Sequence, residues 1–175
     1  MTKSPPVLGF AAYSGTGKTT LLRKLILRLS ERGLHLGVIK KAHHDFDIDI
    51  PGKDSFELRK AGAPQVLVAS ARRWALITET PEATEPDLRA HLARLDRGAL
   101  DLILVEGFRH APFPKIELHR QSTGHPLLHP KDPNIIAVAS DQPLDDCPLP
   151  VLSLNDTEAV AEFILDWVNS SSTRT

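Results

Sequence analysis

The chain has 175 residues, 41% of them hydrophobic, with 21 Lys and Arg against 22 Asp and Glu. That is enough apolar content for one sizeable core, and a net charge of −1 gives no argument for nucleic acid or a membrane surface. Cys147 is the only cysteine, which excludes an internal disulfide. No apolar run approaches the ~18 residues of a spanning helix, and the N-terminus is polar, so the expectation is a cytoplasmic protein.

In chain order, Val7 to Ala11 is an apolar strand, followed by a glycine-rich turn and a helix from Lys18 to Glu31. Leu22, Leu25, Ile26 and Leu29 form its apolar stripe. Leu36 to Lys40 reads as a second strand, and a short helix spans about Ser55 to Ala61. Val66 to Ala69 and Trp74 to Thr78 are strand candidates. Thr84 is expected to cap a helix that runs to about Leu95. Leu102 to Val105 is apolar throughout, as in a strand buried on both faces. Lys115 to Arg120 alternates polar and apolar, as in a half-exposed strand. Ile135 to Ala139 and Val151 to Leu154 are late strands, and Asn155-Asp156-Thr157-Glu158 opens the last helix with capping-box spacing.

Strands alternating with helices predict an α/β fold with a mostly parallel central sheet. The segments 74–78 and 115–119 are expected to form an antiparallel extension used in dimerisation. Residues 1–169 are expected to make a single nucleotide-binding domain, and residues 170–175 a disordered polar tail.

Ala12-Tyr13-Ser14-Gly15-Thr16-Gly17-Lys18-Thr19-Thr20 has the order strand, glycine turn, helix that a phosphate-binding loop (P-loop) needs. Backbone N–H groups from Ser14 through Thr20 would point into one concavity at a helix N-terminus, where the dipole favours an anion. Gly15 and Gly17 permit backbone conformations closed to residues with a Cβ. Lys18 would reach the β- and γ-phosphates, and the Thr19 hydroxyl would bind Mg²⁺. The usual first glycine is replaced here by Ala12.

A second acidic group is needed for Mg²⁺. Ligands of a parallel sheet sit beyond the carboxyl ends of its strands, which selects Glu106. Asp101 would lie ~15 Å away at the other end, at ~3.3 Å per residue. The segment His43-His44-Asp45-Phe46-Asp47-Ile48-Asp49 reads either as a polar active-site loop or as a transition-metal site, although neighbouring histidines point apart in a strand. Asp54 could cap the next helix or orient an attacking water as a catalytic residue. Asp141, at the end of an apolar strand, is placed either to accept hydrogen bonds from guanine or to shape a turn before Pro143.

These stretches together resemble the molybdopterin-guanine dinucleotide biosynthesis protein B family. The resemblance is carried by Gly15-Thr16-Gly17-Lys18-Thr19-Thr20-Leu21, His43-His44-Asp45, Pro51-Gly52-Lys53-Asp54-Ser55 and Glu57-Leu58-Arg59-Lys60-Ala61-Gly62-Ala63. It continues through Arg73-Trp74-Ala75-Leu76, Asp101 to Phe108 and Ile136 to Asp141. It implies a GTP-binding, homodimeric protein with at most weak Mg²⁺-dependent GTPase activity. Such a protein would assist a partner molybdopterin guanylyltransferase, with molybdopterin itself a candidate ligand. The chain departs from the family at Lys40-Lys41, where members often carry Lys-His. Tyr13 stands where related dimeric ATPases carry a lysine. Two other readings remain: a small-molecule phosphotransferase with Asp54 as base, and an adaptor whose nucleotide is structural.

Overall fold

The computed structural model describes residues 4–42, 46–80, 82 and 84–172. The chain divides into two compact units, residues 1–41 with 87–175 and residues 42–86.

The first unit is built on a six-stranded sheet, all of whose neighbours are parallel. Its strands are β1 (Val7–Ala12), β2 (Leu36–Lys40), β5 (Leu102–Glu106), β6 (Lys115–His119), β7 (Ile135–Ser140) and β8 (Val151–Ser153), in the order β2-β5-β1-β6-β7-β8. Helices α1 (Lys18–Glu31) and α4 (Thr157–Ser172) cover one face of the sheet. Leu21, Leu22, Leu25 and Leu29 of α1 meet Val160, Ala161 and Ile164 of α4 over Leu8, Phe10, Leu104 and Leu118. The other face packs Ile103 and Val105 against Leu88 and Leu92 of α3 (Leu88–Leu92) and against Phe108. With β5 covered on both sides, its continuous apolar run follows.

The second unit holds α2 (Asp54–Lys60) and the antiparallel pair β3 (Gln65–Ala69) and β4 (Trp74–Thr78). Among its described residues Val66 is the buried hydrophobic one, while Leu67, Trp74 and Leu76 lie 60%, 69% and 50% exposed. The pairing Leu67↔Leu76 and Ala69↔Trp74 sets these three on one face. Arg59 of α2 binds Glu79 at 2.8 Å and also Asp47, while Ser55 donates to Asp49 at 2.9 Å. The acidic residues of the 46–50 segment thus turn toward α2, and Phe46, Ile48 and Ile50 are exposed.

Three expectations are corrected, and one open alternative is closed. Segment 115–119 is not an antiparallel, half-exposed strand. β6 lies inside the parallel sheet between β1 and β7, and its alternating charges are buried. Lys115 is 1% exposed and binds Asp132 at 3.0 Å and the Ala111 carbonyl at 2.7 Å. Glu117, also 1% exposed, accepts the Leu128 and His129 amides at 2.6 and 2.8 Å. Partners of this kind let charges enter an interior, which period-two polarity cannot reveal. At Asp132, burial pushes the carboxyl up, but hydrogen bonds from Asn134 and Lys115 outweigh it and hold the group below the usual range.

The helix expected from Thr84 starts instead at Leu88, capped by Asp87, which accepts the Arg89 and Ala90 amides at 3.0 and 3.3 Å. Pro86 disfavours a helical Glu85, so the cap moves past the proline. At the last helix, Asp156 rather than Asn155 accepts the Glu158 and Ala159 amides, and Glu158 pairs with Arg32, the residue after α1. That helix runs to Ser172, into the expected tail; residues 173–175 lie outside the described residues. Finally, Asp54 is not the α2 cap, which is Lys53 in extended backbone. Among the described residues, no helix is long and apolar enough to cross a membrane.

Candidate nucleotide site

β1 ends at Ala12 and α1 begins at Lys18, with the glycine loop between them at the carboxyl ends of the parallel strands. Gly15 and Gly17 have φ of 82° and 91°, the left-handed region that an L-residue enters only with strain. Thr16 is buried and donates to the Tyr13 carbonyl at 3.0 Å, which pins the loop from inside. Gly17 is the α1 cap and provides no side chain. The first intrahelical bond runs from the Leu21 amide to the Gly17 carbonyl at 3.0 Å. The Lys18, Thr19 and Thr20 amides therefore precede the helix ladder, and no acidic residue stands in the first turn. Orphan amides, a positive helix end and a lysine at one point favour an anion there. Ser14, Thr19 and Thr20 are exposed around the same loop.

Glu106, the last residue of β5, lies beside this loop. The Thr19 hydroxyl approaches its Oε1 at 3.5 Å, and Lys18 Nζ lies 3.8 Å from the same oxygen. Lys40, at the end of β2, approaches Oε2 at 3.7 Å. Register explains the gathering: Lys40 pairs with Glu106, and Glu106 with Phe10. Beyond it, Gly107 has φ 92°, and a Cβ there would stand 2.7 Å from Lys41 Cβ. Phe108 follows in the left-handed region at φ 51°. A Thr hydroxyl beside a carboxylate is an all-oxygen donor set, which suits Mg²⁺ completed by water and phosphate. Asp101 is at the opposite end of β5. It accepts the His35 amide at 2.7 Å and faces the His35 ring at 3.1 Å; the first of these bonds does most to hold its carboxyl below the usual range.

Asp141 follows β7 on the other side of the loop. Its Oδ1 accepts the Gln121 amide at 2.9 Å, and its Oδ2 lies 3.4 Å from Arg120 Nη1. An ionised carboxylate has about four lone-pair sites, so acceptor capacity for a ligand remains. Asp54 opens α2 in the second unit, where it is exposed. His43, His44 and Asp45 lie outside the described residues, and among the described residues no group of three or more His, Cys, Asp and Glu is gathered for a metal.

Sequence reasoning missed two neighbours of the loop, His125 and Arg120, whereas Arg109 is expected there because it follows the Glu106 strand. Tyr13 stacks on His125 with centroids 4.2 Å apart, and the Arg109 guanidinium lies 5.3 Å from the same ring. Arg120 donates through Nε to the Thr16 carbonyl at 3.3 Å. The available signal is position: Arg120 stands at the carboxyl end of a strand, although the alternating pattern of 115–120 reads as half-exposed.

The family model "Molybdopterin guanine dinucleotide synthesis protein B" matches residues 7–141. The chain is 54% identical to the molybdopterin-guanine dinucleotide biosynthesis adapter protein of Escherichia coli (strain K12) over 168 residues, 95% of each chain. It is 44% identical to the protein of the same name from Haemophilus influenzae, over 97% of this chain and 93% of that one. Among solved structures, it is similar to a molybdopterin-guanine biosynthesis protein B, with TM-score 0.70 and 28% identity over 92% of this chain and 99% of that one. A homologue from Bacillus stearothermophilus gives TM-score 0.67 at 27% identity, over 94% and 98%. The chain belongs to the molybdopterin guanine dinucleotide synthesis protein B family.

Proposed function

We propose that this protein is an adapter in the biosynthesis of molybdopterin guanine dinucleotide, and that it binds GTP with Mg²⁺ at the loop from Ser14 to Thr20. One observation carries the reading: in a chain 54% identical to an adapter of that name, Thr19 and Glu106 converge beside a helix end whose first amides lack intrahelical partners. In this reading the loop amides and Lys18 hold the phosphates, Thr19 and Glu106 hold Mg²⁺, and Asp141 accepts from the guanine edge. The bound metal would neutralise phosphate charge. Hydrolysis is weak at most, and the nucleotide state governs docking to a guanylyltransferase in the cytoplasm. Molybdopterin is the second candidate ligand, near Arg109 and His110. The protein acts as a homodimer through the exposed face of β3 and β4, because a unit with so little buried apolar surface gains most from a partner.

Calorimetric titration of GTP and ATP with Mg²⁺, followed by co-purification with the guanylyltransferase under each nucleotide, tests this. The expected result is preferential GTP binding and GTP-dependent capture. Asp141→Ala should reduce GTP affinity about tenfold and leave ATP affinity nearly unchanged, since adenine lacks the matching donor pair. Capture that ignores the nucleotide would leave a plain adaptor, and rapid steady-state phosphate transfer to a small acceptor would make the protein a phosphotransferase.

A further inference from the structure

Arg120 occupies a position that its sequence context conceals. It follows β6, the strand next to β1, and its guanidinium reaches two elements. Nε donates to the Thr16 carbonyl at 3.3 Å, inside the glycine loop. Nη1 lies 3.4 Å from Asp141 Oδ2, at the end of β7. Nη2 is 3.8 Å from the point a Cβ on Gly17 would occupy, so the flat group lies along the loop backbone.

On this side of the loop a cleft of about 210 Å³ opens, lined by Thr16, Gly17, Thr20, Arg120, Leu154 and Asn155. Sites for drug-sized ligands usually measure roughly 300–1,000 Å³, so this cleft suits one flat ring system rather than a whole nucleotide. The lining offers the two things a planar heterocycle needs. The guanidinium face supplies a surface for stacking, and the exposed Asn155 carries an edge donor and acceptor, while Leu154, 5% exposed, borders the cleft from the core. The cleft adjoins the α1 amides, so a base lodged there would be tethered to phosphates held at the loop.

We propose that Arg120 is a specificity-determining residue of the nucleotide site: its guanidinium forms the wall on which the purine lies and fixes the Asp141 carboxylate that meets the base edge. The inference rests on the nucleotide reading of the glycine loop. Because one guanidinium binds both the Thr16 carbonyl and Asp141, base occupancy is coupled to the conformation of the phosphate loop. A lysine could keep the charge but has no flat face and one compact head, so it would not substitute.

The test uses the full chain and three probes with Mg²⁺, namely GTP, ATP and inorganic tripolyphosphate, titrated by calorimetry. Arg120→Ala should weaken GTP about tenfold or more and narrow its margin over ATP, while tripolyphosphate changes less than about threefold. Arg120→Lys should keep tripolyphosphate binding without restoring GTP. Equal losses for GTP and tripolyphosphate would reduce Arg120 to a brace of the loop and overturn the proposal, as would an unchanged GTP affinity. If circular dichroism shows Arg120→Ala unfolded, Asn155→Ala at the exposed rim of the cleft reads the same contrast, and indifference of GTP to that change overturns it. A wild-type protein that binds neither GTP nor tripolyphosphate removes the nucleotide reading and this inference together. Wild-type binding beside an indifferent Arg120→Ala removes the inference alone.

Discussion

The Thr19 hydroxyl lies 3.5 Å from Glu106 Oε1, although 87 residues separate them in the chain. The parallel pairing of β1 with β5 brings them together, because both strands end at the same edge of the sheet. Glu106 also sits between two ammonium groups, Lys18 at 3.8 Å and Lys40 at 3.7 Å. It can therefore act on a bound anion in two opposed ways, by holding a cation and by repelling phosphate.

These opposed effects separate with the metal. Glu106→Gln should weaken GTP and ATP alike, by about tenfold, when Mg²⁺ is present. With the metal chelated, the same variant should bind as well as wild type or better, because a negative charge beside the phosphates is gone. Calorimetry with and without EDTA checks this, and equal losses under both conditions would remove Glu106 from the metal.

Lys18→Ala should weaken triphosphate binding at least tenfold without changing the thermal midpoint. Its side chain is directed to the loop and to Glu106, outside the apolar core. Unchanged affinity would end the phosphate-binding interpretation of the loop.

Asp101 predicts a pH effect on stability with no effect on nucleotide. Its carboxyl is held low by the His35 amide and ring. The stabilisation is therefore complete above the unfolded value of about 3.9 and is lost as pH falls through the lower folded value. Asp101→Asn should be less stable than wild type at neutral pH, with the gap closing as pH falls through the lowered folded value. Urea unfolding across pH measures it, and GTP affinity should not move.

The buried Lys115–Asp132 pair should be costly to break on one side. Asp132→Ala strands a charge that is 1% exposed, for a loss of about 3 kcal/mol in urea unfolding. Replacing both partners with apolar residues, Lys115→Met with Asp132→Leu, should recover most of it. A double variant worse than the single one would show that the Lys115 bond to the Ala111 carbonyl dominates.

The β3–β4 pair separates association from folding. Leu76 is exposed, whereas Ile77 faces the same side as buried Val66. Leu76→Asp should halve the particle mass in light scattering and leave circular dichroism intact. Ile77→Asp should lower the thermal midpoint of the second unit. A wild-type particle of monomer mass at micromolar concentration would refute the dimer.

What the sequence determined by itself was local. The glycine loop, α1 from Lys18 to Glu31, β2 from Leu36 to Lys40 and the apolar β5 were all legible, because each is set by spacing, glycine placement or hydrophobic periodicity over a few residues. The placement of Glu106 and Asp101 at opposite ends of one strand was legible in the same way, and the structure has them there. Tertiary structure decided the rest. Lys115 and Glu117 looked like the outward face of an edge strand, and only the contacts with Asp132, Ala111, Leu128 and His129 show why they can be inside. Arg120 had no motif to mark it, since its contact with Thr16 spans 104 residues. Local periodicity records which residues share a face. Which strand lies beside which, and so which charges meet, is set by the packing of the whole sheet.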